Sequence, residues 1–307
     1  MNYNTLTPPR PTNKRSGVFR RDWITLGCAA LTVTLWASAF AGIRVGLADF
    51  SPTSIALLRY LVASLVLLIY AAITRMPLPS LRDMPGIAAM GFLGFSAYNV
   101  LLNAGQIGVS AGVASFIIST EIILTALLAA RLANDRLTRW GWAGVLVSLV
   151  GVGIISAARE TGLRLDLGVL LIVAAAVVKA SYSVGQKRYL TVYGALRFAT
   201  YAIWCGTLFM LVFTPGLVHD LQSASLNSVL AVVYLGVFPG AIGYIAWSFV
   251  LSRMPASVAA TFLYFAPFLA TLIAWMWVGE VPSAFVFVGG ALIVAGVVVV
   301  SRKGKRA

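Results

Sequence analysis

Of the 307 residues, 60% are apolar and 10% charged, with a mean hydropathy of +0.92, whereas an ordinary soluble domain is about 25% charged. That composition excludes a water-soluble globular fold. The net charge of +14 would suit a nucleic acid, but Lys and Arg fall in short clusters between apolar runs and make no single basic face, which excludes that partner too.

Residues 1–22 are rich in Pro, Asn, Thr and Arg without apolar periodicity and are expected to form a mobile cytoplasmic tail. Apolar windows bounded by charge, proline and polar clusters then follow at 23–45, 52–74, 84–106, 110–132, 137–158, 166–188, 194–216, 225–250, 256–277 and 282–302. Each has about the 20 residues a helix needs to cross hydrocarbon. The runs are continuous and do not alternate, so helices are expected and not a barrel. A basic cytoplasmic tail, 303–307, closes the chain. Cys28 and Cys205 lie inside apolar runs and are read as packed free thiols.

Only Arg44, Arg159 and Arg164 fall on one side of these spans, and the other loop and tail basic residues, from Arg10 to Arg306, fall on the opposite side. The positive-inside rule then places both termini in the cytoplasm, as an even number of spans requires.

A constant offset of 145 aligns Met90 to Ser156 with Leu235 to Ser301 without a gap, matching Gly91 with Gly236, Ala111 with Ala256, Gly144 with Gly289 and Gly151 with Gly296. Asn134-Asp135 falls over Gly279-Glu280. Five spans per copy make the second copy enter the membrane from the other side, so the repeats, 23–158 and 166–302, are expected to be inverted. The fold class expected is all-α, with ten transmembrane helices in two inverted five-helix repeats.

Leu35-Trp36-Ala37-Ser38-Ala39-Phe40, Leu57-Leu58-Arg59-Tyr60, the run from Ala111 to Leu128, and Phe265-Ala266-Pro267-Phe268 through Gly279-Glu280 to Gly296 resemble the EamA-type family of drug/metabolite transporters. The resemblance spans about residues 24–301 and implies two inverted repeats, a central substrate cavity and movement of small metabolites, amino acids among them. The fourth helix departs from the family pattern: Pro267 keeps the mid-helix proline of the second repeat, but its counterpart is Ile122. Lys179 is a second departure.

Three charged side chains lie well inside spans: Arg59, Glu121 and Lys179. At a helix centre such groups cost about 2.5–3.5 kcal/mol each, so each is a site hypothesis. Glu121 is expected to take a substrate ammonium or a coupling proton and Lys179 a carboxylate, the two pairing with each other when the site is empty. Arg59 either joins the site or snorkels outward. Trp36, Tyr98, Tyr182, Tyr201, Tyr244 and Trp247 are candidate walls of a pocket, and Asn99, with Asn103 and Gln106, brings amides that bond between helices or reach the substrate. Pro239 and Pro267 are read as hinges or kinks in the eighth and ninth spans. The glycines Gly42, Gly46, Gly91, Gly94, Gly240 and Gly243 are read as close helix contacts.

No P-loop or buried catalytic constellation is present, and the lone His219 beside Asp220 is placed in an external loop, so neither an enzyme, a cofactor nor a metal site is expected. The sequence is thus read as a secondary transporter of the inner membrane, multi-pass in the lipid bilayer, exporting a small organic metabolite such as an amino acid. The alternatives are a multidrug exporter of aromatic cations and, from another class, a membrane receptor or assembly factor.

Overall fold

The computed structural model describes residues 23–132, 138–157, 167–254 and 256–303. The terminal tails and the turn holding Asn134-Asp135 lie outside them. Every described element is helical. Eight helices are long and apolar enough to cross a membrane: α1 (Trp23–Gly46), α2 (Pro52–Ile73), α3 (Met84–Gly105), α4 (Ala111–Ala129), α6 (Leu167–Gly185), α7 (Ala195–Ser223), α8 (Leu226–Arg253) and α9 (Val258–Val278). Two more, α5 (Arg139–Ala157) and α10 (Ala284–Lys303), carry shorter apolar stretches, Arg139–Ile154 and Ala284–Val300.

Local chemistry starts and stops these helices. Ser51 caps α2, its Oγ accepting from Ser54 N at 3.3 Å, and Pro52 stands in the first turn, where its missing N–H costs nothing. Ser225 caps α8 in the same manner through Ser228 N at 3.3 Å. Gly279, at φ +75°, ends α9 in the left-handed conformation that a side chain would resist.

The offset of 145 reappears in the element boundaries. Shifting Tyr98, Ala111, Glu121 and Arg139 by that amount gives Gly243, Ala256, Ala266 and Ala284, and all eight residues begin a helical segment. Each half also carries a π-helical turn at the same place, Phe92–Ala97 in α3 and Phe238–Ile242 in α8. Pro239 suits the second, having no N–H to donate, and the ladder resumes with Gly243 N on Phe238 O; the first forms without a proline. The helix is rewound there and not ended.

Packing follows the same exchange. α1 packs on α8 and α9, and α6 packs on α3 and α4; α2 meets α8, and α7 meets α3. The pairs α2 with α7, α4 with α9 and α5 with α10 join like to like. Bare backbone makes the closest crossings possible. A Cβ on Gly91 would lie 2.4 Å from Ala202 O, and one on Gly144 would lie 2.7 Å from Gly296 O. Gly42 and Gly46 likewise admit Leu235 and Val232 of α8.

Two elements differ from the sequence reading. The seventh span does not stop near residue 216: a 3-10 turn at Leu211–Phe213 leads straight into Thr214–Ser223, with Pro215 in the first turn. His219 therefore stands on a helix, not in a loop. The fourth span is interrupted at Ser119 and Thr120, between Ala111–Ile118 and Glu121–Leu132. Its counterpart in α9 is interrupted at Leu263–Phe265, ahead of Pro267. The break is thus kept in the first half without the proline.

Candidate functional site

The interruption of α4 puts Glu121 at the start of a helical segment, not in the middle of a regular helix. Its Oε1 accepts a hydrogen bond from Ser183 Oγ of α6 at 2.7 Å. One turn earlier on α6, Lys179 turns toward three rings, its Nζ 4.8 Å from the centroid of Tyr182, 4.9 Å from Tyr98 and 5.6 Å from Phe95. An ammonium over aromatic faces gains by the ring quadrupole where no carboxylate is at hand. Glu121 and Lys179 feel each other's charge, yet no ion pair within 4.0 Å joins them. The expected pairing is not made in this structure: the Ser183 hydroxyl holds the carboxylate and the rings flank the ammonium.

Arg59 of α2 is 7% exposed and does not snorkel to a surface. Its Nη1 donates to Asn99 Oδ1 at 3.2 Å, and its Cζ lies 5.3 Å from the Tyr60 ring centroid. Asn99 is fixed in turn, donating from Nδ2 to Phe95 O at 2.8 Å and to the Tyr60 hydroxyl at 3.1 Å. Arg59 and Lys179 are therefore linked through one cluster of Tyr60, Phe95, Asn99 and Tyr98.

The aromatic candidates divide. Phe95 lies 5.5 Å from Tyr182 and 5.7 Å from Tyr244, and Trp36 lies 5.4 Å from Tyr244 and 5.5 Å from Trp247. These rings run as one wall from α6 across α3 to α8 and α1. Trp36 Nε1 also donates to Pro239 O at 3.2 Å, at the π-turn of α8. Tyr201 is not brought to this wall: its hydroxyl donates to Pro77 O in the α2 to α3 connection, and its ring meets Tyr193 and Trp204. Pro267 lies buried in the first turn of its α9 segment, its carbonyl accepting from Thr271 Oγ1 at 2.9 Å. Asn103 and Gln106 bond between elements, to Pro52 O and Phe40 O, each at 3.0 Å.

Ser183, Phe95 and Tyr60 complete the cluster and were not among the residues expected from sequence. Helical spacing would have revealed two of them: Ser183 is one turn from Lys179, and Phe95 is one turn from Asn99.

At one end of the bundle, where Glu280 joins Arg44 and Ala111, lies a cavity of about 210 Å³ bordered by Ser110, Gly112, Thr271 and Glu280. At the opposite end a larger hollow of about 560 Å³ opens between α2, α7 and α8, beside Tyr70, Thr74, Arg197 and Phe249. Neither is the charged cluster itself. Among the described residues no three His, Cys, Asp or Glu side chains gather as metal ligands.

Comparison with known proteins agrees with this architecture. A solved structure titled "Crystal structure of protein" shares the fold at a TM-score of 0.62 and 23% identity, over 90% of this chain and 95% of that one. An uncharacterized transporter of Bacillus subtilis (strain 168), YdfC, is 42% identical over 87% of this chain and 88% of its own. A probable terminal-alkyne amino-acid exporter of Streptantibioticus cattleyicolor is 39% identical over 89% of this chain and 92% of its own. The EamA-like transporter family matches twice in tandem, at residues 23–157 and 166–302, and the chain belongs to that family of membrane transporters.

Proposed function

We propose that this chain is a secondary transporter of the inner membrane that exports a small organic metabolite, an amino acid or related solute, by alternating access. In this reading all ten helices cross the bilayer as two inverted five-helix repeats with both termini in the cytoplasm. The observation that carries it is the partly buried cluster at the junction of α2, α3, α4 and α6, where Glu121, Lys179 and Arg59 meet aromatic rings and amides. Glu121 takes an ammonium or a proton, Lys179 a carboxylate, and Trp36, Tyr98, Tyr182, Tyr244 and Trp247 the organic part of the solute. The amino-acid exporter among the relatives supports the substrate class.

The hollow end carries Arg197 and faces the cytoplasm under the positive-inside rule. The end tied by Arg44 and Glu280 then faces outward in this reading. Exchange of the two repeats' roles opens the other end.

Liposomes containing the purified protein and preloaded with labelled amino acids test the proposal. Release of one solute class, lost in Glu121→Gln and Lys179→Met proteins that still accumulate in the membrane, is expected. No flux across a broad panel would overturn it.

A further inference from the structure

Three charged side chains meet in the interior cluster, and they do not balance. Arg59 and Lys179 are basic, and among the described residues Glu121 is the one acidic side chain near them, itself engaged by Ser183. Among the described residues no carboxylate lies within 4.0 Å of either cation. Lys179 is enclosed by rings. Arg59 is the less satisfied of the two: it is 7% exposed, and among the described residues its Nε has no hydrogen-bond partner and its single acceptor is the neutral Asn99 Oδ1 at 3.2 Å. A guanidinium offers five donors in a planar fork that matches a carboxylate.

That fork is held ready. Asn99 is fixed by Phe95 O and the Tyr60 hydroxyl, so its carbonyl stays turned to Nη1, and the Tyr60 ring flanks Cζ at 5.3 Å. An uncompensated cation held this far from water is costly unless something else brings the missing negative charge. A neutral zwitterion does not change the excess. A solute with one more carboxylate than ammonium does.

We propose, resting on the transporter reading above, that the site selects organic solutes of net negative charge and that Arg59 receives their carboxylate. The neighbouring wall of Tyr244, Trp36 and Trp247 accommodates an aromatic or apolar body. The driving force follows from the charge: an anion leaves down an inside-negative potential without a co-moving cation, and about 100 mV biases one charge by about fifty-fold.

Three probes share a phenyl ring on a two-carbon arm and differ in charge: 3-phenylpropionate, phenylalanine and phenethylamine. Efflux of each is measured from proteoliposomes at neutral pH, above the leak of protein-free liposomes, with the potential set by a potassium gradient and valinomycin. Phenylpropionate is expected to leave about tenfold faster than the other two or more, and faster again when the interior is negative. Arg59→Gln is expected to lose this preference, and Arg59→Lys, which keeps the charge but not the fork, to keep part of it. The wild-type charge series decides alone if Arg59→Gln does not accumulate. Phenylalanine leaving as fast as phenylpropionate overturns the anion proposal and leaves transport intact. No flux for the three probes or for the labelled amino-acid panel overturns both.

Discussion

Arg44 Nε donates to Glu280 Oε1 at 2.7 Å, and the other oxygen of that carboxylate accepts from Ala111 N at 2.8 Å, so one side chain ties the ends of α1, α4 and α9 together. Arg44 Nη1 extends the tie to Gln106 O and Ile107 O, at 2.7 and 3.2 Å. The pair is part-buried, so it is screened by salt less than an exposed surface ion pair. Glu280→Gln is expected to lower stability by about 1.5–3 kcal/mol, the range for a hydrogen bond to a charged group. A cysteine at Ser110, on the cavity beneath the tie, is expected to label faster in that background. Unfolding followed by fluorescence and thiol labelling check both; unchanged labelling would show that this end is closed by other contacts.

The caps of α2 and α8 are reciprocal. Ser51 N donates to Asp220 Oδ2 at 2.9 Å, and Ser225 donates to Asp49 Oδ2 from its backbone N at 3.0 Å and from its hydroxyl at 2.5 Å. The Ser225 hydroxyl, then the Ser228 hydroxyl and the Ser225 amide, hold the Asp49 carboxyl below its ordinary value of 3.8. A carboxyl lowered in the folded state adds stability that is fully present above its unfolded value and is lost as pH falls through the folded one. The midpoint gap between wild type and Asp49→Ala is therefore expected to be constant above pH 3.8 and to shrink below it. Thermal scans of both proteins across that range measure it, and a gap that widens on acidification would contradict the assignment.

The crossing of α5 and α10 is glycine-dependent in both directions. A Cβ on Gly296 would lie 2.3 Å from Gly144 O and 2.1 Å from Ser148 Oγ, and a Cβ on Gly151 would lie 2.5 Å from Gly289 O. Ser148 can rotate, but the backbone carbonyl cannot. Gly296→Ala is expected to destabilise by about 1–3 kcal/mol through overpacking, whereas alanine at Gly153, which meets nothing within 4 Å, is expected to be neutral or slightly favourable. Unfolding midpoints of the two variants provide the comparison.

The π-turn of α8 is held from α1 by the Trp36 indole on Pro239 O. Trp36→Phe keeps a ring against Tyr244 but removes the donor, and is expected to cost about 0.5–1.5 kcal/mol. Pro239→Ala restores a backbone N–H and is expected to favour regular winding, giving a more stable protein that transports more slowly. Parallel measurements of stability and liposome flux test this, and equal flux in the two proteins would remove the π-turn from the transport cycle.

Much of the architecture was legible in the chain because hydrocarbon restricts the choices. A spanning backbone must satisfy its own hydrogen bonds, so long apolar runs become helices, and the ungapped offset that aligned Gly144 with Gly289 also aligns the first residues of four pairs of helical segments. The glycine positions followed as well, since only a missing side chain lets two backbones approach as Gly91 and Ala202 do.

The site was legible as a list and not as an arrangement. Arg59, Glu121 and Lys179 were conspicuous because charge inside an apolar run is costly, but their partners depend on the rotation and tilt of each helix. A helix that is apolar on its lipid face and its protein face alike carries no polar stripe to fix that rotation. Packing alone therefore decided that Ser183 holds Glu121, that rings hold Lys179, and that Asn99 faces Arg59. It also placed Tyr201 against Pro77, off the wall that Trp36, Tyr182, Tyr244 and Trp247 share, and broke α4 beside Glu121 without a proline. The sequence determined the helices and their repeat because solvation by hydrocarbon acts on each segment separately; contacts between side chains from different helices exist only once those helices have docked.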